Sequence, residues 1–291
     1  MEAEAKPLQP AEIAQTIRRI QAGDNELFWR LVEPYQRCLK TTAYSLLRNT
    51  EDAAEIVQET NLKALKHLDQ LKDGQSLKSW LVSIAINEAR MRMRKRREEP
   101  MPDDEADLQT YSPRDFSNWR DTPLSQLERK EIIEAVQRAL LVLGPLVREV
   151  FVLRDIQHIS VPETAEILGI SEAKVSVRLH RARLQMRELL APLFREPFSP
   201  WIPLRMMIDM PVMMMHRVVS CKTVIMELSK YIDRAMDAGM RARVKEHLKY
   251  CTRCKILLDT TRKTLYLVAD EQAFLPALPY TGNIEQDFSS A

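Results

Sequence analysis

The chain has 291 residues, of which 45% are hydrophobic and 29% are charged, and its formal net charge is +2. This length indicates two or three compact domains, and the composition is typical of a globular protein rather than a disordered one. No stretch approaches the ~20 apolar residues of a transmembrane helix, and the first residues lack the apolar core of a signal peptide. We therefore expect a cytoplasmic protein whose four cysteines are reduced or bind metal.

The low number of glycines and phenylalanines, six and seven, argues against a large β-sandwich or barrel. Apolar residues at helical spacing favour an all-α fold instead, with helical blocks separated by proline-rich linkers. The predicted order is a helical block at 11–97, a linker at 98–123, a block at 124–195, a linker at 196–215, a block at 216–270 and a tail at 271–291. The sequence lacks the phosphate-binding and nucleophile motifs of common enzymes, so we expect no catalytic activity.

The first block contains an amphipathic helix in the segment NTEDAAEIVQETNLKALKHL, beginning at Asn49 or Thr50. One side of this helix is apolar and suits a protein core. The other side carries carboxylates and an amide, from Asp52, Glu55, Gln58 and Glu59. That acidic face is either a docking surface for another protein or a plain solvated face.

The first block ends in a basic segment, SLKSWLVSIAINEARMRMRKRR. Its cations cluster within about two helical turns, which suits neutralisation of nucleic-acid phosphates; they are Arg90, Arg92, Arg94, Lys95, Arg96 and Arg97. Trp80 and Asn87 can hold unstacked bases. The alternatives are that Trp80 is a core residue and that the arginines are simply solvated.

The second block contains the pattern of a helix-turn-helix. Ser160 and Glu163 form a capping box at the start of the first helix. Gly169 suits the left-handed turn that ends this helix, and Ser171 caps the next one. We therefore expect a DNA-binding pair of helices, a motif that repressors and activators also use.

The second helix of this pair has an apolar stripe and a polar, cationic side. Short polar residues between cations suit the major groove, because cations hold phosphates while the central residues meet base edges. The predicted DNA contacts are Lys174, Ser176, Arg178, His180, Arg181 and Arg183. The alternative is a charged surface helix without a nucleic-acid partner.

The third block places His247, Cys251 and Cys254 at helical positions i, i+4 and i+7, on one face of a predicted helix. With Cys221 they complete a Cys₃His set suited to structural zinc. His216 is a competing fourth ligand, and unliganded thiols are the alternative. The remaining cysteine, Cys38, is expected in the core.

Together these segments resemble the extracytoplasmic-function (ECF) sigma factors of bacterial RNA polymerase. The resemblance implies that the helix with Glu55, Gln58 and Glu59 binds core polymerase. It implies that the W…IAxN…R pattern, made by Trp80, Asn87 and Arg94, captures a melted promoter strand, and Arg90 is a further predicted DNA contact in the same segment. The cations of the helix-turn-helix, such as Lys174 and Arg178, would recognise duplex promoter DNA. The chain departs from the family at Ile86, Met91 and Thr164, which concerns promoter specificity.

The third block resembles the zinc-binding anti-sigma domain, with its H-x₃-C-x₂-C pattern and an upstream cysteine. This domain normally belongs to a separate anti-sigma factor, which remains a further possible partner. Fused here, it predicts a built-in regulator whose sign the sequence leaves open. Two rival functions are a helix-turn-helix regulator that does not join polymerase and a zinc enzyme with its metal in the third block.

Overall fold

The computed structural model describes residues 8–71, 76–96, 129–194 and 219–269. Every regular element in these ranges is a helix, which confirms the all-α prediction. The predicted linkers 98–123 and 196–215, the tail 271–291, and His216 and Arg97 lie outside the described residues. In the described ranges, no helix combines the length and hydrophobicity that crossing a membrane requires.

The first block folds around three long helices that pack against one another, α3 (Gln36–Leu47), α4 (Thr50–Lys66) and α5 (Leu77–Arg96). Asn49 begins α4 as predicted, because its side chain accepts a hydrogen bond from the backbone amide of Asp52. The helices of this block are α1 (Pro10–Gln21), α2 (Leu27–Val32), α3 (Gln36–Leu47), α4 (Thr50–Lys66) and α5 (Leu77–Arg96). Cys38 is a buried free thiol, as expected.

The described residues of the second block form four α-helices, α6 (Arg129–Val142), α7 (Pro145–Phe151), α8 (Val161–Leu168) and α9 (Glu172–Leu190). Both α7 and α8 pack against α9. A π-helical turn, Val152–Ile156, continues α7. Such turns widen a helix locally, and this one leads into the loop that carries Gln157.

The third block contains two short helices followed by two longer ones. They are α10 (Cys221–Met226), α11 (Leu228–Ile232), α12 (Ala238–Tyr250) and α13 (Thr252–Val268). The expectation of one helix through His247, Cys251 and Cys254 was wrong. Cys251 has extended backbone angles, φ −97° and ψ 96°, and separates α12 from α13.

Apolar packing joins the three blocks. One core extends through the first two blocks and includes Leu267 and Val268 from the end of α13. The smaller core of the third block includes Leu184 of α9. Because each side contributes residues to the core of the other, the third block is docked on α9 by buried apolar surface.

Candidate nucleic-acid interface and metal centre

The helix-turn-helix has the predicted caps. Ser160 and Glu163 exchange the two hydrogen bonds of a capping box at the start of α8. Gly169 ends α8 in the left-handed conformation, with φ 66°. The Ser171 hydroxyl then accepts from the backbone amide of Lys174 and caps α9. These caps set the turn between the two helices.

The start of α9 is accessible. Lys174 is exposed, whereas Ser176 and Arg181 are half-buried. The Ser176 hydroxyl donates to the Glu172 carbonyl oxygen at 3.0 Å. Arg178, predicted as a phosphate ligand, is buried here with only 4% of its surface exposed. The N-terminal turns of α9 are thus the part best placed to enter a groove.

Further along α9, Arg183 lies in a buried cluster of charges. Its guanidinium donates to both carboxylate oxygens of Asp155, at 2.9 and 2.6 Å, and to Asp233 at 2.8 Å. The Arg183 side chain is 3% exposed, so the expectation of an accessible phosphate ligand does not hold in this arrangement. Asp155 and Asp233 were not identified from sequence, because nothing in their own segments indicates a partner in α9.

The third block also covers His180 and Arg187. His180 Nδ1 lies 3.2 Å from the Ser229 hydroxyl oxygen. Burial, together with the nearby charges of Arg183 and Lys230, lowers the pKa of His180 to about 4. Arg187 is fully buried and donates to the Thr260 hydroxyl of α13 at 2.7 Å.

The basic end of α5 is divided between exposed and paired side chains. Asn87 and Arg94 are exposed, as a role in strand capture requires. Trp80 is 8% exposed and fills the core, in agreement with the structural alternative. Arg90 is paired with Glu149 of the second block, with a shortest distance of 2.6 Å.

The acidic face of α4 is only partly free. Gln58 is exposed and Glu59 is half-buried. Asp52 is buried and accepts a hydrogen bond from Arg92 at 2.9 Å. The prediction that Asp52 lies on the accessible face of α4 was therefore wrong. Arg92 also pairs with Glu55 at 2.5 Å.

A groove of about 380 Å³ lies beside this face, between α4 and α5. The exposed apolar side chains of Leu62 and Met91 line it, and Lys66 and Lys95 add positive charge. None of these residues was predicted from sequence to contact a protein partner; Lys95 was predicted only as part of the basic cluster for nucleic acid. The combination of an apolar floor and charged edges is typical of a protein-docking surface.

The Cys₃His cluster forms at the corner between α12 and α13. The four donor atoms of Cys221, His247, Cys251 and Cys254 all lie within 4.8 Å of one another. The Cys221 and Cys251 sulfur atoms are 3.8 Å apart. Two thiolates bound tetrahedrally to one zinc ion are separated by about 3.8 Å. The residues therefore fit a four-coordinate zinc site with no open position.

Neighbouring groups orient the His247 ring and favour the thiolate form of Cys251, as binding of a metal cation requires. The His247 ring uses Nδ1 for a 2.8 Å contact with the Val219 carbonyl oxygen, which directs Nε2 toward the sulfur atoms. The pKa of Cys251 is lowered to about 4, mainly because its sulfur accepts a hydrogen bond from Cys254. Thiolate and neutral imidazole are the forms that bind zinc.

Three family models match the chain. The Sigma-70 region 2 family matches residues 31–99, and the Sigma-70 region 4 family matches residues 133–186. A zinc-finger family matches residues 221–255, which contain all four donors of the Cys₃His cluster. For reference, each helical block is named after the family model that matches within it: region 2 for α1–α5, region 4 for α6–α9 and the zinc domain for α10–α13.

Proteins that are similar to this chain are also sigma factors. RNA polymerase sigma factor YlaC of Bacillus subtilis is 30% identical over 54% of this chain and 88% of YlaC. ECF RNA polymerase sigma factor SigW of the same species is 27% identical over 62% of this chain and 98% of SigW. The crystal structure of the sigma factor RpoE in complex with the anti-sigma factor NepR, from Bartonella quintana, is 25% identical and covers 56% of this chain and 96% of that chain. Its TM-score of 0.43 is too low to compare domain arrangements.

The chain belongs to the RNA polymerase sigma factors. Region 2 and region 4 of that family are both present, and region 2 comes first along the chain. More narrowly, it is an ECF sigma factor that carries a zinc-finger domain on the C-terminal side of region 4.

Proposed function

We propose that this sigma factor joins core RNA polymerase, directs it to specific promoters and helps to separate the strands at the start site. It works in the cytoplasm as an initiation factor with no catalytic activity of its own. Its partners are the core enzyme and promoter DNA, both duplex and single-stranded. The presence of two sigma regions in one chain supports this role.

The second part of the proposal is that the zinc domain restrains this activity from within the same chain. One observation carries it: Arg183 of α9 is buried, and Asp233 of the zinc domain occupies one of its donor groups. A DNA phosphate binds arginine through the same guanidinium donors. Docking of the zinc domain therefore competes with DNA for this arginine.

We assign the DNA contacts in two groups. Lys174, Ser176 and Arg181 are accessible in part or in full, and they make the first contacts of α9 with the duplex. His180 and Arg183 contact DNA only after the zinc domain has moved, and Arg178 only after its buried side chain has become accessible. In region 2, single-strand capture falls to Asn87 and Arg94, which are exposed, and to Arg90 once its pair with Glu149 opens. Trp80 is left out, because its side chain is buried in the core.

Core polymerase binds, in this proposal, along α4. Glu55, Gln58 and Glu59 supply polar contacts, and the groove with Leu62 and Met91 supplies the apolar part. Asp52 is left out, because its buried carboxylate holds Arg92 and stabilises the packing of α4 on α5.

Zinc, when bound, would hold Cys221, His247, Cys251 and Cys254 together and contribute folding free energy to this small domain. Cys221 begins α10, and α11 follows almost directly. Two of the zinc-domain residues that contact α9, Ser229 and Asp233, lie in and just after α11. The zinc site therefore fixes the segment that holds Arg183.

Transcription with purified core polymerase tests the proposal. Full-length protein and a truncation after Glu196 are compared on a library of genomic fragments, with and without a zinc chelator. We expect truncation or chelation to raise promoter-dependent transcription by about tenfold, the effect of about 1.4 kcal/mol of docking free energy. Equal activity of the two proteins would exclude restraint by the zinc domain, and failure to bind core enzyme would exclude the sigma-factor role.

A point substitution in the full-length chain tests the same restraint in case the truncated chain misfolds. Asp233→Asn keeps the zinc ligands and the shape of the side chain but weakens the ion pair with Arg183. We expect Asp233→Asn to increase promoter-dependent transcription, as truncation does. Glu246→Gln is the matched control, because Glu246 pairs with Lys249 on the surface of the same domain.

A further inference from the structure

Region 4 also covers the strand-capturing helix of region 2, through a surface separate from the zinc domain. We call this surface the closed interface. On the region 2 side it is formed by Lys78, Ser79 and Arg90, and on the region 4 side by Glu149, Gln157 and Glu163. Ser79 and Arg90 lie on one face of α5, about three helical turns apart.

The strongest contact of the closed interface is bidentate. Arg90 Nε donates to Glu149 Oε1 at 2.9 Å, and Arg90 Nη2 donates to Glu149 Oε2 at 2.6 Å. The Glu149 side chain is 1% exposed, whereas that of Arg90 is 20% exposed. A carboxylate in this fork geometry uses the same pair of donors that a phosphate uses.

Weaker polar contacts hold the rest of the closed interface. The Ser79 hydroxyl donates to Glu163 at 2.7 Å, and Lys78 donates to the Gln157 carbonyl oxygen at 2.8 Å. Arg148 of α7 donates to the Leu46 carbonyl oxygen near the C-terminal end of α3 at 3.1 Å. A cation at this helix end is favourable.

We propose that Glu149 is an internal substitute for a DNA phosphate, which keeps Arg90 occupied until region 4 moves away from region 2. The proposal rests on the proposed role of α5 in strand capture. Arg90 cannot hold Glu149 and a phosphate through the same donors, so closure and strand capture exclude each other. The closed interface is thus a second restraint, located within the sigma regions themselves.

The Arg90–Glu149 ion pair of the closed interface can break at little cost in free energy. Burying an ion pair removes two charges from water, and the attraction between them roughly offsets that cost. When region 4 separates from region 2, Glu149 and Arg90 both regain solvent. The ion pair therefore contributes little to the free energy of the closed state, which depends mainly on the apolar core shared by the two regions, and a polyanion that binds Arg90 shifts the equilibrium toward the open state.

Glu149→Gln in the full-length chain tests the proposal, because the substitution removes the charge and keeps the volume. Small-angle X-ray scattering measures the radius of gyration, which should increase as the two regions separate. Fluorescence anisotropy measures binding of a random-sequence single strand of about 20 nucleotides, and affinity should rise about threefold to tenfold. Adding Arg90→Ala to Glu149→Gln should abolish this gain.

Glu134→Gln is the matched control, since Glu134 is a region 4 carboxylate whose pairs with Lys130 and Arg138 are exposed. If it raised affinity as much as Glu149→Gln, or if Glu149→Gln bound DNA no more tightly than wild type, the proposal would be overturned. Ser79→Ala, which loses only the contact with Glu163, covers the case in which Glu149→Gln does not fold. Core-enzyme binding is measured in parallel, so that failure of the sigma-factor role is detected separately.

Discussion

Arg183 links two domains through a single guanidinium group. Asp155, one of its partners, belongs to region 4, and Asp233 belongs to the zinc domain. Burial alone would lower the pKa of Arg183, but the charge of Asp155 and hydrogen bonds to both aspartates raise it. The guanidinium is therefore charged in the folded protein and compensated by two carboxylates.

Arg183→Met should destabilise the folded chain strongly, because Asp155 would remain buried without its cation. We expect the free energy of unfolding to fall by about 3–5 kcal/mol in a urea titration. Arg138→Met is the control, since Arg138 pairs with Glu134 on the surface at 3.7 Å and should change stability by less than about 1 kcal/mol. Similar losses in both variants would show that Arg183 is not a buried structural charge.

His180 makes the docking of the zinc domain sensitive to acid. Its pKa is about 4 in the docked state because of burial and of the charges of Arg183 and Lys230. The ordinary value is about 6.5. Undocking or unfolding raises the pKa back toward that value, so the stabilisation is complete above about pH 6.5 and is lost as the pH falls toward 4.

Lowering the pH from 7 to 4 should therefore weaken docking by up to about 3 kcal/mol through His180. Hydrogen exchange of α11 backbone amides, followed across this range, measures the effect. His180→Gln should reduce the pH dependence without changing exchange at neutral pH by a comparable amount. An unchanged pH profile in this variant would assign the acid response to other groups.

At the scale of elements, the turn between α8 and α9 depends on one backbone conformation. Gly169 has φ 66°, and an added Cβ atom would meet no other atom within 4 Å. The cost of a side chain there is thus conformational rather than steric. The two caps on either side, Ser160 and Ser171, act on helix starts and cannot replace this turn.

Gly169→Ala should lower the free energy of unfolding by about 1 kcal/mol, measured by urea denaturation. Gly144→Ala is the comparison, because Gly144 has φ −55° and also has open space around its Cα atom. Gly144→Ala should change the free energy of unfolding by less than about 0.5 kcal/mol. Equal effects at the two positions would mean that the left-handed turn is not what Gly169 provides.

The caps of α4, α8 and α9 were predicted from sequence because each depends on residues within one turn of the chain. The break between α12 and α13 was not. His247, Cys251 and Cys254 have a spacing that fits one helical face, and neither glycine nor proline marks an end at Cys251. The corner arises because four donors must surround one point, a constraint that includes Cys221 from a distant helix.

At the scale of the whole molecule, carboxylates form ion pairs with basic side chains that the sequence predicts to contact DNA. Glu149 lies 59 positions from Arg90, and Asp155 and Asp233 lie 28 and 50 positions from Arg183. Helical periodicity indicates which side of a helix is polar, but it carries no information on which charges meet across domains. The sequence therefore predicted basic residues as candidate DNA contacts, but it did not predict that carboxylates of other segments pair with Arg90 and Arg183.

This pairing should appear in the salt dependence of DNA binding. Each phosphate neutralised by a cation contributes about 0.9 to the slope of log K against log salt concentration on duplex DNA. The truncation after Glu196 lacks Asp233 and Ser229, so the Arg183 donors that face them in the full-length chain can bind a phosphate while the contacts with Asp155 remain. We therefore expect a slope steeper by about one for the truncated chain, measured by anisotropy with duplex promoter fragments. Arg183→Ala in the truncated chain should return the slope to the full-length value, and a slope unaffected by truncation would mean that the zinc domain withholds no cation from DNA.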